Sequence, residues 1–429
     1  MSQLDDRRAG RPRTLDEVDL FDPATQEDWY PTYDLLREEA PVWRMPGSDT
    51  YVLTRYEDVN HVLRRTDTFL RGADERTPGR GMSSRTAAIY AERGWPRMTP
   101  LALDPPVHRR YREIADPFFS VQGAERQRDL ITGIVDELLD GIGHRGEPFS
   151  HQMEYVADFA IPLPVRVITT MMGFRTEDIP QLKEWSEAWV LPFRGRLSEE
   201  EEIYAGEKGV EFQHHIHATI QAKREQPDDS VISFFANDAR FEGERPLTDA
   251  EIIGMADHLY IGGNETTTFA LTSGLWLLLS DPQIHAAVLA DRQRIRNFVE
   301  EVLRLESPTM GMVRHTARDT EIAGVPIPKG SSVHLRYAAV NCDPRVFDRP
   351  AQLDVERTNA NRHMAFSIGE THCPGAGLSR LEQNIALERI LDRLASLRLT
   401  PGRNDFTHHP NVTLRAMKQL WVSFDPVRP

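Results

Sequence analysis

Cysteine is nearly absent: the 429 residues hold two, Cys342 and Cys373. Two thiols far apart in sequence give no disulfide framework, so the chain reads as one kept in a reducing compartment, the cytoplasm. Positive charge is also in deficit, 51 Lys+Arg against 66 Asp+Glu for a net charge of -15. That balance excludes the basic surface of a protein that wraps nucleic acid. The opening residues, MSQLDDRRAGRPRT, hold neither the apolar core of a signal peptide nor a membrane anchor. No Gly/Ser linker, internal repeat or low-complexity run divides the chain, although its length would allow two or three domains. The expectation is a flexible N-terminus over residues 1–20 and one domain over residues 21–429.

What is present is mainly helical pattern with a small β region near the start. Residues 29–40 have helical spacing, and residues 42–54 read as a hairpin turned by Pro46, Gly47 and Ser48. Ser198 with Glu201, and Thr248 with Glu251, are capping-box pairs that mark helix starts. From the second pair a proline-free pattern runs from residue 249 to about residue 280, roughly 45 Å of helix at ~1.5 Å per residue. A helix that long and apolar on most sides must be central.

Two segments carry chemistry. In the middle of the long helix lies IGGNETTTF, residues 261–269. Adjacent glycines cost roughly 1 kcal/mol each in a helix interior, so something should offset Gly262 and Gly263. Close approach of a flat ligand is one explanation; a kink packed against a neighbouring helix is the other. Glu265 and Thr266 then set an acid beside an alcohol in an apolar helix, a pair suited to moving protons. The second segment, AFSIGETHCPGAGLSRLE over residues 365–382, holds Cys373 after a glycine-containing loop and before a helical pattern. Glycines let backbone fold around a thiolate and loop amides stabilise its charge, an arrangement that can hold a haem iron. A lone cysteine is otherwise a small buried core residue.

With two further segments, these residues resemble the cytochrome P450 haem-thiolate monooxygenases of the soluble bacterial type. The Cys373 loop is similar to the family's haem-binding loop, with Phe366 seven residues before the cysteine, Gly369 four before and Gly375 two after. Glu265 and Thr266 resemble the acid–alcohol pair of the oxygen-activation helix, and Gly262 lies on its cofactor side. Glu301 and Arg304 in EEVLRLESP resemble the Glu-x-x-Arg helix, and residues 341–357 the meander that brings Arg357 onto that pair. LALDPPVHRRYR, residues 101–112, resembles the proximal helix that offers His108 and Arg112 to a haem propionate, with Arg314 as a third donor. The resemblance covers the chain from about Trp29 onward and implies the mainly α cytochrome P450 fold, a triangular prism with a long central helix and a small β region. It implies haem b (iron protoporphyrin IX) bound through Cys373, with Glu265 and Thr266 catalytic and Glu301, Arg304 and Arg357 structural.

It further implies insertion of one atom of O2 into a small or medium, mainly apolar substrate, by hydroxylation, O-demethylation or epoxidation. Electrons would come from a ferredoxin or flavodoxin with its NAD(P)H-dependent reductase, and Arg109, Arg110 and Arg112 could meet such an acidic partner. No nucleic acid or membrane partner is expected. A peroxide-driven peroxygenase is the nearer alternative and a haem sensor without turnover the farther one, although neither needs the acid–alcohol pair. By resemblance the pocket draws on Met310, Met312, Val412, Thr413 and Leu414. Six arginines in residues 71–97 stand against Asp74, Glu75 and Glu92, a surplus open to two readings, an anionic substrate group or solvated loop charge. The chain departs from the pattern in having Ser367 for the glycine after the phenylalanine, and Thr371 at the propionate-binding position two before the cysteine. His372, beside the thiol, is the candidate replacement. Cys342, and the trio His214, His215 and His217, read as a packing thiol and a polar helix face.

Overall fold

The expected hairpin forms as β1 (Val42–Arg44) antiparallel to β2 (Thr50–Leu53). The computed structural model describes residues 12–72, 83–142, 151–194 and 197–425. The hairpin opens a five-stranded sheet completed by β3 (Phe69–Leu70), β4 (Met312–Thr316) and β5 (Ser332–Leu335), in the order β1-β2-β5-β4-β3. β3 and β4 run antiparallel with Phe69 opposite Thr316 and Leu70 opposite His315. Continuing that register by one residue sets Arg71 across from Arg314. A three-stranded sheet of Ala395–Leu399, Trp421–Asp425 and Gln152–Glu154 lies elsewhere in the fold.

Helices make up the rest. α1 is Tyr30–Glu39, within the expected 29–40. The elements that frame the site are α2 (Val107–Phe119), α3 (Pro162–Met172), α4 (Ile179–Val190), α5 (Glu199–Glu225), α6 (Asp249–Ser280), α7 (Arg294–Leu305) and α8 (Ala376–Arg393). Both expected capping boxes are made: Ser198 and Thr248 each accept from the backbone N–H three residues on, and Glu201 and Glu251 reach back. Each cap is worth about 1 kcal/mol and fixes where its helix begins. α6 threads the largest apolar cluster, which includes Ile168, Trp185, Phe212, Leu275 and Val302 from α3, α4, α5, α6 and α7. No described helix is long and apolar enough to cross a membrane.

Of the N-terminal segment expected to be flexible, residues 1–11 lie outside the described residues. Val18 and Leu20 are buried with Trp29, Tyr33 and Leu36, so the packed body begins before residue 21. The same cluster takes in Cys342, whose burial pushes its thiol up to about 11 and leaves it a packing residue.

Candidate active site

Between its two ends α6 is mostly buried, but His258, Gly262, Thr266 and Phe269, with Gly263 beside them, keep accessible surface. His258, Gly262, Thr266 and Phe269 stand at helical spacings of four, four and three, so they share one stripe of the helix. The two glycines serve different ends. A Cβ on Gly263 would come 3.1 Å from the Ile168 side chain of α3, so that glycine permits close helix packing. Around Gly262 a Cβ would meet nothing within 4 Å, so its face is open. Both explanations offered for the pair therefore apply, one to each residue. The Thr266 hydroxyl donates to the Gly262 carbonyl at 3.0 Å across this face.

Glu265 points the other way. Its Oε1 lies 2.5 Å from Nζ of Lys183 and accepts from the Ser186 hydroxyl at 3.0 Å, both on α4. Lys183 is 3.5 Å from Glu187, which is largely exposed. A charged chain thus runs from the surface of α4 through Lys183 to the carboxylate beside Thr266.

The Cys373 loop is shaped by backbone. Ser367 and Gly369 have φ of 59° and 67°, left-handed values that glycine adopts freely and serine at a cost. The loop closes with the Cys373 N–H donating to the Phe366 carbonyl at 2.9 Å. Burial raises the Cys373 thiol, opposed by the backbone N–H groups of Gly375 and Ala376 and by the guanidiniums of Arg112 and Arg380. Beneath the loop, Arg380 of α8 lies 4.6 Å from the Phe366 ring centroid. It bonds Glu300 of α7 at 2.6 and 2.9 Å, and Glu300 also takes His363 at 3.1 Å. Burial works against the Glu300 carboxylate, yet the His363 and Arg380 bonds hold it down at about 2. The sequence reading missed this trio. Thr267 of α6 donates to Ser379 of α8 at 3.3 Å, tying the helix that bears Thr266 to the one that follows Cys373.

Cations gather at the margin. His108 is buried with its Nδ1 unpartnered among the described residues. Burial, then Arg71, Arg112, His258 and Arg314, push its pKa down to about 3, so the imidazole is neutral. Arg71, placed opposite Arg314 by the β3–β4 register, is pushed down to about 10 by burial and by Arg314. Arg314 donates to the Thr371 hydroxyl at 3.3 Å, and Arg112 bonds the His372 carbonyl at 2.7 Å and Asp116 at 2.6 Å. Arg71, Arg112 and Arg314 thus bring three guanidiniums to the neighbourhood of His108, a setting that suits an anion. His372 itself is exposed and lies edge-on to Phe366 at 6.4 Å, while Thr371 is the buried member next to Arg314.

A sequence model described as "Cytochrome P450" matches residues 168–415. The chain is 32% identical over 425 residues to cytochrome P450 107B1 of Saccharopolyspora erythraea, covering 95% of this chain and 97% of that one. The chain belongs to the cytochrome P450 family. It is 30% identical to the cytochrome P450 monooxygenase PikC of Streptomyces venezuelae, over 92% of this chain and 90% of that one. The solved P450BioI, in complex with hexadec-9Z-enoic acid ligated acyl carrier protein, superposes with a TM-score of 0.83 at 28% identity, over 94% of this chain and 100% of that one. The mainly helical cytochrome P450 fold with small sheets is thereby shown, as is the monooxygenase family.

P450 proteins bind haem b, and the residues here fit it. A thiol stands on a loop beside α8, an open stripe of α6 is tied to that helix, and three guanidiniums at the margin stand against few carboxylates. The Glu-x-x-Arg helix and the meander of this P450 meet as expected: Glu301 is 2.6 Å from Arg304 and 3.0 Å from Arg357, all buried. Other residues singled out in the sequence are placed as follows. Met310 and Val412 are packed in the cluster around Trp29 and Leu36, a core position, while Met312 is 40% exposed. Thr413 and Leu414 are half-buried, and the Thr413 carbonyl accepts from the Met310 N–H at 2.7 Å. Arg109, Arg110 and Arg112 are not a free positive patch: their partners are Glu370 at 3.0 Å, Glu242 at 2.8 Å and Asp116 at 2.6 Å. The arginine surplus of residues 71–97 does not assemble either. Arg85 pairs with Glu199 and Glu202, and Arg93 with Glu207, at the surface; Arg76 and Arg80 lie outside the described residues. His214, His215 and His217 have separate partners in the Arg93 carbonyl, Asp178 and Asp249, and no metal cluster occurs among the described residues.

Proposed function

We propose that residues 21–429 form one catalytic domain, a haem-thiolate monooxygenase that inserts one atom of O2 into a small or medium, mainly apolar molecule. Its electrons come from a separate ferredoxin or flavodoxin with an NAD(P)H-dependent reductase, in the cytoplasm, where Cys373 stays reduced. The observation that supports this reading is the open face of α6 at Gly262 and Thr266, on a helix tied through Thr267 to the helix that follows Cys373. Bound haem supplies the iron at which dioxygen is activated. Cys373 would hold that iron as thiolate, with the N–H groups of Gly375 and Ala376 and the nearby Arg112 and Arg380 supporting its charge. His108, Arg112 and Arg314, joined by Arg71, would bind the propionates. Thr371 would take the propionate-side position, a reading supported by its bond from Arg314, and the exposed His372 would then belong to the loop and not to the anion. Phe366, over which Arg380 stacks, would shield the thiolate.

Protons follow the charged chain. Glu187 and Lys183 on α4 would pass them to Glu265, and rotation of its carboxylate away from Lys183 would bring them to Thr266. The Thr266 hydroxyl, now donating to Gly262, would turn to the open face and donate there.

The test is Thr266→Ala in the reconstituted system. Less product and more hydrogen peroxide per NADPH are expected; unchanged coupling would remove Thr266 from the mechanism. Supplying hydrogen peroxide without reductase separates the alternatives. Product from peroxide alone would make the protein a peroxygenase, and no product from either supply a sensor.

A further inference from the structure

The stripe on α6 begins with His258, and around it four polar atoms are buried without a hydrogen-bond partner among the described residues. They are Nε of Arg97, Nε1 of Trp189, Oδ1 of Asp257 and Nδ1 of His258. The atoms come from three elements. Asp257 and His258 are consecutive on α6, Trp189 is on α4, and Arg97 lies in the segment before α2. That segment is pressed onto α6: a Cβ on Gly254, one turn before His258, would come 2.6 Å from the Met98 carbonyl. The Arg97 guanidinium stacks 4.4 Å from the Trp189 ring centroid, and the Trp189 and His258 rings are 6.1 Å apart. The Trp189 N–H is near the Asp257 carboxyl without the geometry of a bond, and no ion pair joins Arg97 to Asp257 among the described residues.

Leaving one buried polar group unpaired costs about 1–3 kcal/mol. Four such groups close together beside the open stripe of α6 form an expensive cluster unless a visiting molecule completes it. The charges say what kind. A carboxylate or phosphate would meet Asp257, and an ammonium would meet Arg97. A neutral hydroxyl fits both, accepting from the Arg97 and Trp189 N–H groups while donating to Asp257 or His258. Burial raises the Asp257 carboxyl to about 7, which further lowers the negative charge offered there.

We propose that Arg97, Trp189, Asp257 and His258 recognise a neutral, hydroxyl-bearing end of the substrate, such as a vicinal diol or hydroxy-carbonyl group on an apolar skeleton. The proposal rests on the monooxygenase reading, in which the space over the stripe is the substrate chamber. It also sets a length. Eight residues separate His258 from Thr266, about 12 Å along the helix, so the carbon oxidised near Thr266 lies roughly 10 Å from the recognised hydroxyl. A medium-sized substrate is required, and small aromatic acids are excluded. Removing the hydroxyl would leave the cluster unpaired, which is how such a site rejects the deoxy analogue.

The experiment uses three probes with one tail and different heads: 1,2-dodecanediol, dodecanoate and dodecyltrimethylammonium. Each is titrated into the haem-loaded protein, following the optical spin-state shift and, independently, equilibrium dialysis. The diol is expected to bind tighter than either charged probe by about tenfold or more. Trp189→Phe, which keeps the ring and loses the N–H, and Asp257→Asn should each cut the diol's affinity by about three- to tenfold while changing dodecanoate binding less. Equal binding of dodecanoate and diol, no effect of either substitution, or no measurable binding of the diol would each overturn the proposal, the second by showing that water satisfies the cluster. The reduced carbon monoxide spectrum of the same samples reports thiolate ligation separately. A thiolate signature with no diol preference defeats this inference alone, whereas its absence defeats the haem-thiolate reading on which it rests.

Discussion

The two sides of the site treat buried charge in opposite ways. Around the Cys373 loop most charged side chains are satisfied within the protein: Glu300 by Arg380 and His363, Glu301 by Arg304 with Arg357 beside it. Neighbouring residues of α7 thus serve two clusters, one under the thiol loop and one locking the meander. On the α6 side, polar atoms of Arg97, Trp189, Asp257 and His258 are buried and left open. A loop that must hold one geometry gains from complete pairing, and a chamber that admits different molecules needs unspent donors and acceptors. The contrast is not absolute, since His108 Nδ1, Arg357 Nε and Glu382 Oε2 are also left without a hydrogen bond among the described residues; what sets the α6 side apart is that four such atoms belong to side chains that neighbour one another.

The largest effect should come from breaking the paired side. Glu301→Gln would leave Arg304 and Arg357, both buried, without a carboxylate, a change that costs about 3–5 kcal/mol when one partner of a buried pair is removed. Thermal unfolding of the purified variant should show that loss together with poor haem retention; a stability within 1 kcal/mol of the parent, in the sense of about 1 kcal/mol being a surface-like effect, would break the comparison. On the open side the sign reverses. Burial raises Asp257 from 3.8 to about 7, so below about pH 4 both folded and unfolded chains hold the proton and the residue contributes nothing. Between about pH 4 and pH 7 the unfolded chain ionises first, and the folded state loses stability as pH rises, by no more than about 4 kcal/mol. Asp257→Asn should therefore match the parent near pH 4 and exceed it at pH 8 in unfolding experiments. Parallel pH profiles for the two proteins would remove the penalty assigned to Asp257.

How far each side was legible in the sequence follows the same division. The hairpin of residues 42–54, both capping boxes and both limits of α6 rest on local signals, and they formed as read. Arg304 and Glu301 were legible because three residues on one helix turn fix their approach. Arg71 was not, because its place opposite Arg314 depends on pairing β3 with β4 across some 240 residues of chain. Glu300 and Arg380 were missed for the same reason, and Arg97 was counted only as one of six arginines in residues 71–97: which face of α7, α8 or a loop turns inward is decided by packing partners distant in sequence. Met310 and Val412 show a different limit. Apolar residues near an expected pocket are drawn equally by a core, and Trp29 and Leu36 supplied one.

Smaller effects sharpen the boundary between the two sides. Lys183 pins Glu265 away from the open face while linking it to solvent. Lys183→Met would remove the link, and turnover in the reconstituted system should fall by about tenfold with a larger solvent isotope effect; a rate equal to the parent's would exclude α4 as the proton route. The smallest expected change is in the loop itself. Ser367 holds φ of 59°, which costs a residue with a Cβ about 1–2 kcal/mol. Glycine would relieve that strain but add freedom to the unfolded chain worth about 0.4–1 kcal/mol, and it would give up the 3.3 Å contact between the Ser367 and Thr371 hydroxyls. Ser367→Gly should thus shift stability by less than about 1 kcal/mol, toward the stable side. Its sharper readout is the thiolate-sensitive optical spectrum: Thr371 also accepts from Arg314, so an unchanged spectrum would place the loop's rigidity in the Arg380–Phe366 stack below it, while a shifted one would place it in the hydroxyl pair above.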